Sequence, residues 1–189
     1  NEDLPYLKYQ ISLDETEATD SKIAFPTLID KTLDVQLPEV IETDMADIIF
    51  TSGTTGKPKG VISSHLQNIK VFDYWSTYIG LNENDRYLIV NPFFHTFGYK
   101  AGWLAAVMRG VTAYPCPIFD ADKIIQIINK EKISMLPGPP TLYQSILTSE
   151  LVKTMDISSL RLGVTGAASI PIQLIKDMKE TLGFETVIT

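Results

Sequence analysis

Hydrophobic and polar positions follow two different periods along the chain, and the change from one to the other predicts strands separated by helices. Short apolar runs predict buried strands at residues 48–51, 61–63, 86–91, 111–115, 133–136, 160–164 and 185–189. Apolar residues at helical spacing predict helices between residues 64 and 80, at 99–109, at 120–132, from 140 onward, and at 169–182. This order is typical of βαβ units, so we predict an α/β fold with a layered, mostly parallel sheet and helices on both faces.

Capping signals mark the ends of three of these helices. Ser64 and Gln67 have the spacing of a capping box, and Asp120 and Ser169 are predicted N-caps of two later helices. The helix after Ser64 has an apolar face made of Leu66, Ile69, Phe72 and Trp75. The helix after Ser169 is predicted to bury Leu174, Ile175, Met178 and Leu182.

Residues 1–44 have the weakest pattern in the chain. Their acidic patch at residues 14–20 is typical of a solvated loop, and Pro26 supports a short helix over residues 25–33. We therefore assign residues 1–44 to a partly irregular N-terminal segment and residues 45–189 to the main domain.

The composition excludes several classes of protein. Of the 189 residues, 44% are hydrophobic and 21% are charged, which is typical of a globular chain, and the net charge of -7 argues against a nucleic-acid surface. A single cysteine, Cys116, excludes an internal disulfide and a multi-cysteine metal site. The longest apolar run, residues 101–108, is too short to span a membrane. We expect a cytoplasmic protein without a transmembrane segment, and no metal ligands are predicted.

The sequence TSGTTGKPKG at residues 51–60, which we call the glycine-rich loop, has the composition of a phosphate-binding segment. Its glycines allow close approach of the backbone to a ligand, and its hydroxyl and lysine side chains supply donors and positive charge. The spacing of Gly53 and Gly56, with Pro58 after Lys57, does not fit the P-loop of nucleoside triphosphatases or a dinucleotide-binding GxGxxG.

The complete ten-residue string resembles the phosphate-binding signature of the adenylate-forming superfamily, which includes acyl-CoA synthetases, adenylation domains of peptide synthetases and luciferases. The resemblance implies that this loop holds the pyrophosphate end of ATP, and it assigns a catalytic role to Lys59. The implied ATP contacts are Thr51, Ser52, Gly53, Thr54, Thr55, Gly56 and Lys59.

A second loop, NPFFHTFGYKAG at residues 91–102, places His95 among aromatic side chains. On residue type alone, a histidine there is a packed core residue. The string resembles the second conserved region of acyl-CoA synthetases, which implies that His95 positions or gates the substrate carboxylate and that Phe97, Gly98 and Tyr99 shape the acyl pocket. Lys100 either meets a polar group of the substrate or is solvated at a helix start, and the pattern favours the solvated position.

Peptide-synthetase adenylation domains have a Phe-Asp pair at this place, whose aspartate holds the amine of an amino acid. This chain has Phe97-Gly98 instead. The difference favours a carboxylic acid that lacks the α-amine.

A third loop, TGAASIP at residues 165–171, follows a predicted strand. Its small residues fit close packing of a strand against a helix. The family has a similar turn that lines the acyl and adenine pockets, which implies contacts from Gly166, Ala167 and Ala168.

The resemblance implies a reaction in two steps. The substrate carboxylate attacks the α-phosphorus of ATP, and Mg²⁺ and loop donors stabilise charge on the leaving pyrophosphate. The acyl group then passes from AMP to the thiol of coenzyme A. The family's Tyr-Gly-x-Thr-Glu motif is expected just where the sequence ends, so we interpret residues 45–189 as part of an N-terminal AMP-binding domain from an acyl-CoA synthetase and expect the 189 residues alone to be inactive.

Three other functions are compatible with parts of this sequence. One is a nucleotide-binding module without catalysis, and another is an adenylation domain that uses a different acyl acceptor. A P-loop kinase or hydrolase is the third, and the glycine spacing disfavours it. The identity of the carboxylic acid and the oligomeric state are not encoded in any motif found here.

Overall fold

The structure, a computed structural model, describes residues 9–13, 22–29, 36–51, 56–166 and 168–189. It divides into two compact units, Asn1–Val40 and Ile41–Thr189. In the first unit, strands β1 (Gln10–Ser12) and β2 (Lys22–Ala24) pair in parallel, and a 3-10 helix at Phe25–Leu28 follows. The helix predicted over residues 25–33 is therefore a 3-10 turn over its first residues, and residues 30–33 lie outside the described part.

The second unit contains a parallel sheet of five strands, which we call the main sheet. Its strands are β5 (Arg86–Ile89), β6 (Thr112–Pro115), β7 (Met135–Pro137), β8 (Leu162–Val164) and β9 (Thr186–Ile188). They lie in the order β6-β5-β7-β8-β9. The α-helices of this unit are α1 (His65–Tyr78), α2 (Ala105–Arg109), α3 (Ala121–Glu131), α4 (Pro140–Thr148) and α5 (Ile172–Glu180). The predicted α/β fold with a mostly parallel sheet is confirmed.

Two hydrophobic cores cover the opposite faces of the main sheet. Tyr87 and Ile89 of β5 pack with α2 on one face, whereas Leu88 between them packs with helices α3, α4 and α5 on the other. The same alternation separates Met135 from Leu136 in β7. Successive residues of a strand point to opposite faces, so the continuous apolar runs of the sequence reflect burial on both sides.

Strands β3 (Met45–Thr51) and β4 (Lys59–Ser64) form a separate antiparallel pair, which we call the hairpin. The sequence predicts a strand on each side of the glycine-rich loop, and both strands are present. Several of the hairpin's apolar side chains are exposed, including Phe50 at 71% and Ile62 at 63%. The hairpin therefore contributes little to the two cores.

Helix ends follow the predicted signals in two cases and depart from them in a third. Ser64 and Gln67 form both bonds of the capping box, and the Asp120 side chain accepts a hydrogen bond from the backbone N–H of Lys123. The prediction that Ser169 caps α5 is wrong, because the helix begins after Pro171 and no side chain caps it.

The predicted apolar face of α1 is present only in part. Three of its four residues are half-buried and Trp75 packs against the core, whereas Ile69 is 47% exposed. The fully buried residues of the helix are Asn68 and Ser76, to which a buried lysine and a half-buried arginine of other elements bond. Lys100 bonds to Asn68, and Arg109 bonds to Ser76 at 2.8 Å.

The helix predicted at residues 99–109 begins earlier and has two geometries. A π-helical segment at Phe97–Leu104 leads into α2. Wide helical turns of this kind occur frequently at functional sites. None of the helices built from the described residues has the length and apolar character that crossing a membrane requires.

Candidate functional site

A cavity of about 330 Å³ lies at the carboxyl ends of strands β5, β7 and β8. Ligands of parallel α/β folds bind at this edge, because the loops that leave neighbouring strands converge there. The loop after β5 contributes Asn91, Pro92, Phe94, His95 and Phe97, the loop after β7 contributes Gly138 and Pro139, and the end of β8 contributes Val164, Thr165 and Gly166. Most of these groups are apolar, so the cavity suits the apolar body of a small molecule.

His95 lies at the exposed rim of the cavity and is held by local backbone bonds. The backbone N–H of His95 donates a hydrogen bond to the carbonyl of Pro92 at 3.0 Å. The Nδ1 atom of its ring accepts a hydrogen bond from the backbone N–H of Phe97 at 3.1 Å. A nitrogen that accepts such a bond has no proton, so the ring proton lies on Nε2. His95 can therefore donate a hydrogen bond from Nε2 to a ligand.

Of the other residues predicted for the acyl pocket, Phe97 lines the cavity. Its ring packs edge-on against Trp75, with 6.0 Å between the ring centroids. Gly98 and Tyr99 are not among the described residues that line the cavity. Tyr99 stacks on Trp103 with 6.0 Å between centroids.

Gly98 supports the cavity from behind. It is buried, and a Cβ atom at this position would lie 2.3 Å from the carbonyl oxygens of Asn91 and Pro92. No side chain fits at that distance. The turn that presents His95 therefore depends on a glycine at position 98.

Two buried polar atoms at the cavity have no hydrogen-bond partner among the described residues. They are Oδ1 of Asn91 and Oγ1 of Thr165, and both residues line the cavity. Buried polar groups are nearly always satisfied, so these two atoms are exceptions within a mostly apolar lining. Sequence reasoning missed both residues. The available signal was a polar side chain directly after a buried strand.

The floor of the cavity is fixed by Tyr143 of α4. Its hydroxyl oxygen lies 2.6 Å from the carbonyl oxygen of Leu136 and 3.0 Å from that of Val164. The N–H of Gly138 also donates to the Val164 carbonyl, at 2.9 Å. Burial raises the pKa of Tyr143 far above its ordinary value, so the hydroxyl stays protonated and remains a donor. These bonds join the ends of β7 and β8 beneath the cavity.

The glycine-rich loop connects the two strands of the hairpin. Thr51 ends β3 and stands opposite Lys59, which begins β4, and both residues are exposed. Gly56 has a φ of +79°, a conformation that other residues rarely adopt. Ser52, Gly53, Thr54 and Thr55 lie outside the described residues. The described ends of the loop thus present a hydroxyl and an ammonium group to solvent.

The third predicted loop lies partly at the cavity. Gly166 lines it, Ala168 is exposed, and Ala167 is outside the described part of the chain. A Cβ atom on Gly166 would meet nothing within 4 Å. Glycine at this position leaves open space beside Thr165.

The prediction that Lys100 is solvated is wrong. Lys100 is 4% exposed, and its ammonium group donates to Oδ1 of Asp47 at 2.9 Å, Oγ of Ser63 at 3.0 Å and Oδ1 of Asn68 at 2.8 Å. The Asn68 amide also donates to Oδ2 of Asp47 at 2.7 Å. We call these four residues the Lys100 cluster. Its members are far apart in the sequence, so no local pattern predicts their contact.

Within the described ranges, no group of three or more His, Cys, Asp or Glu side chains is arranged as a metal site.

Comparison with known proteins links this site to a family. The family model described as AMP-binding enzyme matches residues 2–189. The 3-[(3aS,4S,7aS)-7a-methyl-1,5-dioxo-octahydro-1H-inden-4-yl]propanoyl:CoA ligase of Rhodococcus jostii (strain RHA1) is 44% identical over 156 residues, covering 82% of this chain and 30% of the relative. The protein of the same name from Mycobacterium tuberculosis (strain ATCC 25618 / H37Rv) is 45% identical over 150 residues, covering 79% of this chain and 30% of the relative.

A solved structure extends the likeness to the whole fold. The crystal structure of the anthranilate CoA ligase AuaEII in complex with anthranoyl-AMP matches with a TM-score of 0.85 and 26% identity, covering 98% of this chain and 36% of that chain. The present chain thus spans about a third of the length of these three proteins. The family match extends over almost the entire sequence and agrees with the resemblance carried by the glycine-rich loop. The chain belongs to the family of AMP-binding enzymes and is related to acyl-CoA ligases.

Proposed function

We propose that the protein containing this chain activates a carboxylic acid with ATP and transfers the acyl group to coenzyme A. The observation that carries the proposal is the mostly apolar cavity at the strand ends, rimmed by His95, in a chain that belongs to the AMP-binding family. Relatives at 44% and 45% identity are named as CoA ligases, which supports the thiol acceptor.

In the first step a carboxylate oxygen attacks the α-phosphorus of ATP, and the bond from that phosphorus to pyrophosphate breaks. In the second step the thiol sulfur of coenzyme A attacks the acyl carbonyl, and AMP leaves. The protein's task is chiefly to position the reactants and to stabilise charge. We assign the pyrophosphate to the glycine-rich loop, with Thr51 and Lys59 at its described ends, and the acid to the cavity.

His95 and Lys59 have different roles in this scheme. The Nε2–H of His95 donates a hydrogen bond to the substrate carboxylate and orients one oxygen toward ATP. The ammonium group of Lys59 attracts the phosphates and stabilises the leaving pyrophosphate. Gly166, Ala167 and Ala168 contact the adenylate through backbone and shape.

The chemistry of the cavity favours an acid with an apolar body and one or two polar groups. Its lining is mostly apolar, and the side chains of Asn91 and Thr165 are polar groups within it. A bicyclic propanoic acid with oxo groups, of the type named for the two bacterial relatives, meets both conditions. The Thr165 hydroxyl would donate to an oxo oxygen.

The test is carboxylate-dependent exchange of labelled pyrophosphate into ATP. It is run on the longest continuous reading frame that contains this chain, which we call the complete protein, and on the 189 residues alone. The acid panel contains a bicyclic oxo-propanoic acid, a medium-chain fatty acid and an aromatic acid. We expect exchange by the complete protein with the bicyclic acid and none by the short chain.

Other outcomes would change the conclusion. Exchange without acyl-CoA formation would indicate a different acyl acceptor. ATP binding without exchange for any acid would support a nucleotide-binding module that lacks catalysis. Exchange by the 189 residues alone would contradict the expectation that they are catalytically incomplete.

A further inference from the structure

The Lys100 cluster joins three elements that belong to different parts of the proposed site. Asp47 and Ser63 lie on the two strands of the hairpin, Asn68 lies on α1, and Lys100 lies on the π-helical segment. All three acceptors lie within 3.0 Å of the Lys100 nitrogen. An ammonium group has three protons, so each can be used in one bond.

The Lys100 cluster is close in sequence both to the glycine-rich loop and to the loop that lines the cavity. Asp47 and Ser63 face each other in the hairpin, and Thr51 and Lys59 face each other at the end that carries the glycine-rich loop. The two pairs are four positions apart on each strand, which corresponds to about 13 Å. On the other side, Lys100 follows the cavity residue Phe97 by three positions.

In the part of the chain that the structure describes, the hairpin has no backbone pairing to the main sheet. The two sheets are separate in the described residues, and the apolar side chains of the hairpin are largely exposed. Hydrogen bonds to Lys100 therefore hold the hairpin in place of the backbone bonds of a shared sheet or a packed apolar face. Charge-assisted bonds of this kind are directional and stronger than bonds between neutral groups.

We propose that Lys100 is a positioning residue that fixes the glycine-rich loop relative to the acid cavity. The inference rests on the proposed function, because it assigns the phosphates and the acid to these two places. Lys100 contacts neither reactant and acts through the hairpin. In-line attack requires the two reactants within a few ångströms, so a loosened hairpin separates them and slows the first step.

A positioning role differs from simple stabilisation in its kinetic effect. Removing the charge of Lys100 leaves Asp47, whose side chain is 14% exposed, without its ion partner, which destabilises the protein for purely electrostatic reasons. Removing both charges relieves that penalty. The double variant Lys100→Met/Asp47→Asn therefore separates the two effects, because it regains stability but still lacks the bonds from position 100.

The test measures pyrophosphate exchange by the complete protein for the wild type, Lys100→Met and the double variant. The matched control is Lys153→Met, which removes an exposed lysine paired with Glu150 at 2.9 Å. We expect kcat/KM for ATP to fall at least tenfold in both Lys100 variants, calculated per active site. Lys153→Met should stay within twofold of wild type. A double variant with restored thermal stability and wild-type kinetics would overturn the proposal.

Hydrogen exchange of backbone amides gives a second readout that does not depend on activity. In Lys100→Met and in the double variant, we expect the backbone amides of β3 and β4 to exchange hydrogen at least threefold faster. The amide exchange rates in β5 and β7 should not change. Unchanged hairpin rates would show that Lys100 does not position the hairpin. If the wild type shows no pyrophosphate exchange with any acid, the proposed function fails. The amide rates then still decide whether Lys100 holds the hairpin.

Discussion

The backbone N–H of Phe97 donates a hydrogen bond to Nδ1 of His95 at 3.1 Å. This bond fixes the tautomer of the imidazole, because the remaining ring proton must lie on Nε2. It also fixes the ring at the rim of the cavity, where Phe97 forms part of the wall. One local hydrogen bond therefore determines both the orientation of the His95 ring and the atom that can donate to the substrate carboxylate.

Two substitutions at His95 separate these two consequences. Asparagine can accept the Phe97 bond with its side-chain oxygen but has no group at the position of Nε2, whereas glutamine extends an amide donor toward that position. We expect His95→Asn to lower kcat/KM for the acid at least tenfold and His95→Gln to retain more activity. Steady-state exchange kinetics of the complete protein measure both. Equal activity of His95→Asn and wild type would exclude the assigned donor role.

The unsatisfied hydroxyl of Thr165 predicts opposite effects on stability and on binding. Valine has nearly the same shape without the buried, unpartnered oxygen, so we expect Thr165→Val to raise the free energy of unfolding by about 1 kcal/mol. It should also raise KM for an oxo-substituted acid several-fold. Thr165→Ser, which keeps the hydroxyl, is the control for KM. Thermal unfolding and acid titrations give the two measurements, and an unchanged KM for every acid would show that the hydroxyl does not contact substrate.

Gly98→Ala tests whether the turn before the π-helical segment depends on close backbone approach. The added methyl group would lie 2.3 Å from two backbone carbonyl oxygens, which cannot move aside as a flexible side chain can. We expect a loss of about 2 kcal/mol in the free energy of unfolding. Gly166→Ala is the control, because its methyl group enters open space. Equal thermal midpoints for both variants would contradict the steric argument.

The sequence predicts the main sheet well because its signal is local. Runs such as residues 87–89 are buried on both faces, and this burial appears directly as consecutive apolar residues. The cavity lies at the loops that follow three of these strands. The roles assigned to individual site residues remain predictions, and four residues of the glycine-rich loop lie outside the described part.

The sequence fails where distant residues decide the local structure. Lys100 resembles a surface lysine until Asp47, 53 positions earlier, is known to lie beside it. The burial of Asn68 on α1 is hidden for the same reason, since this side chain bonds to that lysine. The π-helical turns are equally hidden, because backbone spacing within a helix responds to packing of Gly98 and Gly102 against β5 and its loop. Such contacts do not appear in the pattern of apolar and polar positions along the sequence.

Asp85 predicts how stability depends on pH. The residue is 2% exposed and accepts hydrogen bonds from the Arg161 guanidinium, the Ser134 hydroxyl at 2.6 Å and the Asn82 backbone at 2.9 Å. Burial raises the pKa of Asp85, but these bonds and the charge of Arg161 outweigh it and hold the pKa below its ordinary value. These bonds tie the start of β5 to Ser134, just before β7, and to Arg161, just before β8.

A carboxyl group whose pKa is lower in the folded state stabilises the protein above the unfolded pKa, and this stabilisation is lost as pH falls through the folded pKa. We expect the free energy of unfolding to be level between pH 7 and about pH 5, and to fall below about pH 4 as the unfolded carboxyl binds a proton. Asp85→Asn should lower it by about 2 kcal/mol at pH 7, and the difference from wild type should shrink toward pH 3. Urea unfolding of the complete protein at pH 7, 5 and 3.5 measures this difference, which must be the same at pH 7 and pH 5 and smaller at pH 3.5. A difference that stays constant or grows at low pH would show that the ion pair with Arg161 does not hold Asp85 in its charged form.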